Sequence, residues 1–263
     1  MAARPLSSSP LALGGVPVLM YHDLCAGPCT TDRYSLPVSM FRRQLALLRE
    51  RQIAIAGLSA LRRSTDAASV AITFDDGLVR QFELALPELI VQGMTATFFV
   101  TTSLVGTPGY LNWQQVRAMS DAGMTLGSHG DRHIAYTALT AQFAAQELTR
   151  SRLTLEDALG RAVDAFSAPF GFLNGALVAA AHAAGYRSIC SSRPWTAQPH
   201  DLDIPRLAVY CNTTLPEFAA LVSGSPLPIL TRRTRDALLH LPKQWMLRAR
   251  PQRLGLSAEE VAK

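Results

Sequence analysis

Short apolar runs alternate with longer amphipathic stretches along most of the chain. The apolar runs predict seven strands, at residues 16–21, 69–74, 96–101, 125–127, 165–168, 188–191 and 207–210. Apolar positions at spacings of three and four predict helices at residues 39–52, 84–92, 113–122, 141–159, 175–184 and 215–222. This alternation is typical of parallel strands joined by returning helices, and an α/β fold built as a distorted (β/α) barrel with about seven parallel strands fits it best.

Length and composition indicate one large folded unit. The chain has 263 residues, of which 48% are apolar and 17% charged, and this excludes both disorder and a small disulfide-held domain. We expect a single domain at residues 16–223, an N-terminal extension at 1–15 and a basic tail at 224–263. Four cysteines do not make a disulfide framework in a chain this long, so we expect reduced thiols. The chain has no run of about 18 apolar residues and no clear signal peptide, which predicts a soluble, cytoplasmic protein.

The positive charge of the chain is concentrated near its C-terminus. Residues 1–230 contain 17 Lys and Arg against 17 Asp and Glu, whereas residues 231–263 contain 8 against 3. The body is therefore neutral, and we expect no nucleic-acid partner. The tail around Trp245 could form a basic amphipathic helix on a membrane surface, although Pro242 interrupts it. The alternative is a solvated extension whose leucines pack on the barrel.

Two carboxylates follow the strand predicted at residues 69–74. Asp75 and Asp76 are succeeded by Gly77. Adjacent strand residues point to opposite faces, so both acids can reach one site only if the backbone turns there, and Gly77 permits that turn. One carboxylate could then bind a cation while the other stays free. The same triplet also occurs in ordinary turns.

Two histidines follow the strand predicted at residues 125–127. His129 and His133 are four positions apart, which places them on one face of a helical turn and close enough to bind one metal ion. Two histidines and one carboxylate leave coordination positions open, as in catalytic rather than structural zinc sites. The alternative is a chance pair of surface histidines.

A third motif, Pro169-Phe170-Gly171, follows the strand predicted at residues 165–168. Proline and glycine around an aromatic residue make a rigid loop that could aim a backbone N–H at a developing oxyanion, although alone the motif reads as a turn. All three motifs come directly after strands. In parallel barrels this is the edge that carries the chemistry.

Together the three motifs resemble the polysaccharide deacetylase family, carbohydrate esterase family 4, also called the NodB homology domain. The resemblance extends over residues 16–222 and includes the segments at 18–22, 110–113, 169–174, 184–186 and 204–206. It implies that Asp76, His129 and His133 hold a divalent metal, usually zinc, and that Asp75 is the general base. It also implies that the backbone N–H of Phe170 binds the oxyanion.

The sequence departs from the family pattern in two places. Family members often have an arginine two residues before the motif proline, where this chain has Ser167. We expect Arg206 to orient the base instead, an ordinary surface salt bridge being the alternative. The family's late Leu-x-His, whose imidazole protonates the leaving amine, matches residues 238–240, but these fall in the tail. His22, at the end of the first strand, is the better-placed candidate for the acid or a substrate contact, unless it is a packed structural histidine.

The resemblance implies a metal-dependent hydrolase that removes N-acetyl groups from the amino sugars of a polysaccharide or glycan precursor. Further candidate substrate contacts are Pro169, Tyr21 and Trp113. The Tyr21-His22 pair and the missing arginine look most like the exopolysaccharide-modifying branch of the family. Two alternatives stay open: a hydrolase of a non-sugar amide, such as a cyclic ureide, on the same metal site, and a non-catalytic glycan-binding relative.

Overall fold

A curled parallel sheet forms the centre of the molecule. The structure, a computed structural model, describes residues 13–28, 32–61 and 69–234. Within these ranges the strands are β1 (Val18–Tyr21), β2 (Asp23–Cys25), β3 (Ser35–Pro37), β4 (Ala54–Ile55), β5 (Ser69–Phe74), β6 (Thr97–Val100), β7 (Thr125–Ser128), β8 (Ala165–Ser167), β9 (Ser188–Cys190) and β10 (Leu207–Ala208). The seven predicted strands are all present. β2, β3 and β4 were not predicted, because two or three residues are too few to show an alternating pattern.

The order of the strands confirms the predicted barrel class. The main sheet runs β10-β1-β5-β6-β7-β8-β9 with every neighbouring pair parallel, and β4 adds to β5 off this path. β9 and β10 do not pair along a ladder. Loop hydrogen bonds span this gap instead, from Ile204 N to Ile189 O (2.6 Å) and from Arg206 N to Arg193 O (3.1 Å). The sheet therefore curls into a distorted (β/α) barrel.

Helices return the chain between the strands. They are α1 (Val38–Glu50), α2 (Leu86–Gln92), α3 (Trp113–Asp121), α4 (Ala141–Leu159), α5 (Gly175–Ala183) and α6 (Leu215–Val222). A π-helical turn at Gln81–Ala85 precedes α2, so helical backbone begins at residue 79 rather than at the predicted 84. The turn precedes Pro87, which has no N–H to donate within the helix. Within the described ranges, none of the helices combines the length and hydropathy that a bilayer-spanning segment needs.

The two faces of the sheet bury separate apolar clusters. Phe74 and Phe98 stack at 4.8 Å in the large cluster beneath the helices. Val18, Ala71 and Phe99 alternate with members of that cluster along their strands and belong to a second one. Because successive strand residues point to opposite faces, the second cluster fills the inside of the barrel.

Packed structure continues past residue 223, where composition placed the start of the tail. Residues 226–234 are helical, and Ile229 is buried against Leu207 and Leu221. Leu13 N donates to Gly224 O, so the chain ends of the described region lie together. The 238–240 motif, the segment around Trp245 and residues 1–12 of the predicted extension lie outside the described residues.

Close packing around β7 gives a stability prediction. A Cβ added at Gly127 would lie 2.7 Å from the Phe99 ring and 3.0 Å from Ala165 O, whereas one at Gly175 meets nothing within 4 Å. Overpacking should make Gly127→Ala lower the free energy of unfolding by about 1–3 kcal/mol. The control Gly175→Ala should leave it unchanged or higher. Urea denaturation measures both, and equal stability of the two variants would contradict this packing.

Candidate metal and catalytic site

The three predicted motifs meet at the C-terminal edge of the sheet. Asp75 and Asp76 follow β5, His129 and His133 follow β7, and Phe170 follows β8. They meet because β5 to β8 are neighbours in one parallel sheet, so the loops leaving them emerge on the same side.

Asp76, His129 and His133 form a compact set of metal-ligand atoms. Asp76 Oδ1 lies 3.3 Å from Nε2 of each histidine, and one ligand atom from each residue falls within 4.8 Å of the others. Two atoms that each bind one ion at about 2.0–2.1 Å in a tetrahedral site lie about 3.3 Å apart. The spacing of the three side chains therefore fits a single divalent cation.

The backbone turn that aims Asp76 at the histidines is present. Asp76 has φ 78° and Gly77 has φ 75°, both in the left-handed region. Such a conformation costs a non-glycine residue on the order of 1 kcal/mol and is often found at functional sites. A Cβ at position 77 would also lie 3.3 Å from Val100 Cα. Asp75 and Asp76 thus both reach one site, as the sequence required.

His129 is fixed from behind by the neighbouring strand. Its Nδ1 lies 2.9 Å from Ser167 O, and its side chain is 2% exposed. A carbonyl oxygen can only accept a hydrogen bond, so the ring nitrogen facing it must carry the proton. The proton is therefore on Nδ1, and Nε2 keeps a lone pair directed at the cluster. Metal-binding histidines commonly have this second interaction.

Ion pairs and hydrogen bonds to two buried carboxylates hold the loop between the histidines. Asp131 accepts hydrogen bonds from Thr102 Oγ1 (2.7 Å) and Arg150 Nη1 (3.1 Å). Glu147 accepts from Arg132 through both the backbone N–H (3.0 Å) and Nε (2.8 Å). These contacts pair residues far apart in sequence, so no local motif could have indicated them.

Asp75 stands beside the metal-ligand cluster in a bidentate pair with Arg206. Both carboxylate oxygens lie 2.7 Å from guanidinium nitrogens, and Arg206 is completely buried. Arg206 also donates to Ser167 Oγ (2.8 Å) and Ser191 O (2.9 Å). Ser167 occupies the position of the family arginine, and its hydroxyl contacts the guanidinium that here pairs with Asp75. Arg206 is therefore no surface salt bridge.

The carboxylates of the site are ionised at neutral pH. Burial alone would raise the pKa of Asp75, but the charges of Arg206 and His129 outweigh it and hold that pKa below its ordinary value. Burial likewise opposes ionisation of Asp76, but the neighbouring His129 and His133 hold its pKa well below the usual range. Arg206 compensates the charge of Asp75, so it is the negative charge of Asp76 beside the two histidines that attracts a cation.

Phe170 has an available backbone donor. Its φ of 61° and ψ of 0° place it in the left-handed region, and its ring contacts that of His133 at 4.7 Å. Among the hydrogen bonds of the described residues, none uses the Phe170 N–H. Pro169 is buried beneath this turn. It is not part of the pocket wall, and its predicted contact with substrate stays a prediction.

His22 lies in the wall of the site pocket. Its ring is 4.4 Å from that of Tyr34, and its buried Nδ1 has no hydrogen-bond partner among the described residues. Burial lowers its pKa, although Asp75 and Asp76 oppose that shift. The imidazole is therefore neutral at pH 7.

Two residues predicted to contact substrate, Tyr21 and Trp113, lie outside the pocket wall. Tyr21 is buried, and its hydroxyl donates to Gln44 Oε1 (2.9 Å) within the core. Tyr21 and His22 are adjacent at the end of the strand and point to opposite sides, so His22 faces the pocket and Tyr21 does not. Trp113 packs against the large apolar cluster and is absent from the pocket wall. Burial raises the pKa of Tyr110, nearby in sequence, and the charge of Asp76 adds to this rise.

A pocket of about 960 Å³ opens over the site. Asp75, Asp76, His129 and His133 lie in its wall. Other parts of the wall were not predicted, and they include Arg33, Tyr34, Phe172, Arg193, Tyr210 and Arg232. These residues come from loops or from residues 226–234, where neither spacing nor a motif marks a function.

Comparison with known proteins agrees with the fold and the motifs. A family model described as polysaccharide deacetylase matches residues 62–189. The Bacillus subtilis protein YxkH, classed by its name among the polysaccharide deacetylases, is 27% identical over 188 residues, or 69% of this chain. The chain spans 66% of the length of YxkH.

Solved structures share the same architecture. The Streptococcus pyogenes deacetylase PplD, solved in complex with acetate, superimposes with a TM-score of 0.74 at 21% identity, over 79% of this chain and 98% of that one. IcaB from Ammonifex degensii superimposes with a TM-score of 0.69 at 22% identity, over 82% of this chain and 100% of that one. The family-model match, the curated relative and the shared fold confirm the predicted resemblance to the polysaccharide deacetylase family.

The buried pair of Asp75 and Arg206 gives a second prediction. Arg206→Gln should lower the free energy of unfolding by about 3–5 kcal/mol, because it leaves the Asp75 carboxylate buried and unpaired. The double variant Asp75→Asn/Arg206→Gln should lose less than the sum of the two single losses. Urea denaturation of all four proteins in the cycle measures the coupling.

An exposed ion pair provides the control for this cycle. Arg42 Nη2 lies 2.5 Å from Glu88 Oε1, and the Arg42 side chain is 58% exposed. The same double-mutant cycle on this pair should give a much weaker coupling, because water screens it. Additive losses at Asp75 and Arg206 would contradict the bidentate buried pair.

Proposed function

We propose that this protein is a metal-dependent N-deacetylase that hydrolyses the acetamido group of amino sugars. One observation carries the proposal: an Asp-His-His ligand set lies beside a second, ionised aspartate held by a buried arginine. Such a site has both a place for a cation and a base that the cation does not occupy. The match of residues 62–189 to the polysaccharide deacetylase family model supports the same reaction class.

In this proposal Asp76, His129 and His133 hold a divalent cation, and zinc suits the two imidazoles and one carboxylate. When bound, the cation supplies a Lewis acid that polarises the amide carbonyl and makes water easier to deprotonate. The protonated Nδ1 of His129 donates to Ser167 O and keeps the opposite nitrogen directed at the cation.

Asp75 is the general base. Its low pKa keeps it ionised, and the bidentate contact with Arg206 fixes the direction of its oxygens. Asp75 takes a proton from water as the water oxygen bonds to the carbonyl carbon. The Phe170 N–H donates to the oxyanion that forms. The carbon–nitrogen bond then breaks, acetate is released, and the amine nitrogen takes up a proton.

His22 contacts the substrate in this scheme. Its lowered pKa makes it a neutral imidazole at pH 7, which suits a hydrogen-bonding group better than an acid. The proton that Asp75 collected is then the one available to the leaving amine. Its position in the pocket wall and its unpartnered Nδ1 support this assignment.

An exposed aromatic side chain favours a sugar over a compact cyclic amide. Phe170 lies in the wall of the pocket and is 43% exposed. Flat rings of this kind offer stacking surfaces to the apolar faces of a pyranose. The large pocket also suits a glycan better than a cyclic ureide. If the cytoplasmic location predicted from the sequence is correct, a soluble or lipid-linked precursor is the expected substrate.

The division of roles between metal ligand and base is testable by substitution. Asp75→Asn should lose acetate release by several orders of magnitude and still bind zinc, because Asp75 is no ligand. His129→Ala should lose zinc. His200→Ala, at an exposed loop histidine, should change neither. Elemental analysis and acetate assays measure the outcome. Full activity in Asp75→Asn would rule out Asp75 as the base.

Metal removal tests the reaction class. Dialysis against a chelator should stop acetate release from N-acetylglucosamine oligomers, and added zinc should restore it. A panel of cyclic ureides assayed in parallel should give no product. Release that survives chelation would contradict metal dependence, and turnover of the ureides alone would replace the sugar with a non-sugar amide.

A further inference from the structure

The pocket contains arginines that its own carboxylates do not neutralise. Its wall includes five arginines. Arg206 is paired with Asp75 at 2.7 Å, Arg232 with Glu217 at 2.6 Å and Arg193 with Asp203 at 3.5 Å. The remaining two are Arg33 and Arg233, and neither has a carboxylate within 4.0 Å in the described part of the chain.

Arg33 is held in place by aromatic rings rather than by an acid. Its guanidinium carbon lies 4.0 Å from the centroid of Tyr210 and 5.2 Å from that of Tyr34. Rings that cover a guanidinium face leave its N–H groups, which lie in the plane, free to donate. The Arg33 side chain has no hydrogen bond to another described residue. Its donors are thus ordered in advance for a ligand.

Arg232 packs on the same tyrosine ring as Arg33, and Arg233 follows Arg232 in the helical segment at residues 226–234. Arg232 lies 5.3 Å from the centroid of Tyr210, on which Arg33 also packs. Arg233, the next residue, packs against Trp195 at 5.0 Å and also belongs to the pocket wall. Like charges in the wall of one pocket repel each other, and a bound anion relieves this repulsion.

We propose that Arg33 and Arg233 form a subsite for an oxyanion carried by the substrate, a phosphate or a carboxylate attached to the N-acetylated glycan. The inference rests on the proposed deacetylase function and makes it more specific. Guanidinium groups bind both oxyanions through paired N–H donors. In this proposal the oxyanion binds at Arg33 and Arg233 while the acetamido group reaches the cation at Asp76, and all three residues belong to the wall of one pocket.

Binding to three probes tests the subsite. Isothermal titration of the zinc-loaded protein at low salt compares N-acetylglucosamine, N-acetylglucosamine 1-phosphate and N-acetylmuramic acid. At least one charged probe should bind about tenfold tighter than the neutral sugar, a difference that one charge-assisted contact can supply. The identity of that probe distinguishes phosphate from carboxylate.

Substitutions assign the preference to the two arginines. Arg33→Gln/Arg233→Gln should reduce the preference to within about twofold. Arg43→Gln/Arg117→Gln removes the same charge from exposed positions outside the pocket and should keep it. Circular dichroism checks that both variants are folded. Equal binding of all three probes to the unmodified protein, or a preference that survives in Arg33→Gln/Arg233→Gln, would overturn the inference.

The outcome is separate from that of the proposed function. Binding is measured without turnover, so a protein that releases no acetate still reports on the subsite. Acetate release from neutral and charged glycans at equal rates would preserve the deacetylase and refute the oxyanion subsite. If the control variant lost the preference equally, the preference would be due to overall charge. This result would also refute the subsite.

Discussion

The ion pair between Asp75 and Arg206 is the interaction on which the rest of the site depends. Two unlike charges with almost no exposure are stable together only if their hydrogen bonds are nearly complete, and the guanidinium meets Asp75, Ser167 and Ser191 O in one plane of donors. The pair ties the loop after β5 to β8 and β10, across the region where the sheet curls. It thereby keeps one aspartate ionised and apart from the neighbouring metal-ligand set.

The barrel provides the geometry within which this pair can act. Parallel strands deliver Asp76 and the two histidines to one edge, while the backbone of β8 holds the imidazole of His129 from behind. The wall of the pocket above them contains the carboxylates of Asp75 and Asp76 together with five arginines. With the proposed oxyanion subsite, these charges suit a substrate that carries both a neutral amide and an oxyanion.

The strands and the three motifs could be predicted because each depends on local sequence. A run of apolar residues marks a buried strand, and carboxylates or imidazoles at its end mark chemistry. The roles of Ser167 and Arg206 required a family pattern as well. Arg33, Tyr34 and Tyr210 could not be predicted, because their arrangement arises from loops that meet only in the folded chain. Tyr21 was predicted to contact substrate because it lies beside His22 in sequence. Adjacent strand residues point to opposite sides, and the side chain of Tyr21 is buried in the core.

A crystal structure of the zinc-loaded protein, with anomalous diffraction recorded at the zinc edge, tests the central claim most directly. The account predicts one anomalous peak about 2.0–2.1 Å from Asp76, His129 and His133, with Asp75 outside the coordination sphere and still paired with Arg206. A peak bound by both aspartates, or none between the two histidines, would contradict it.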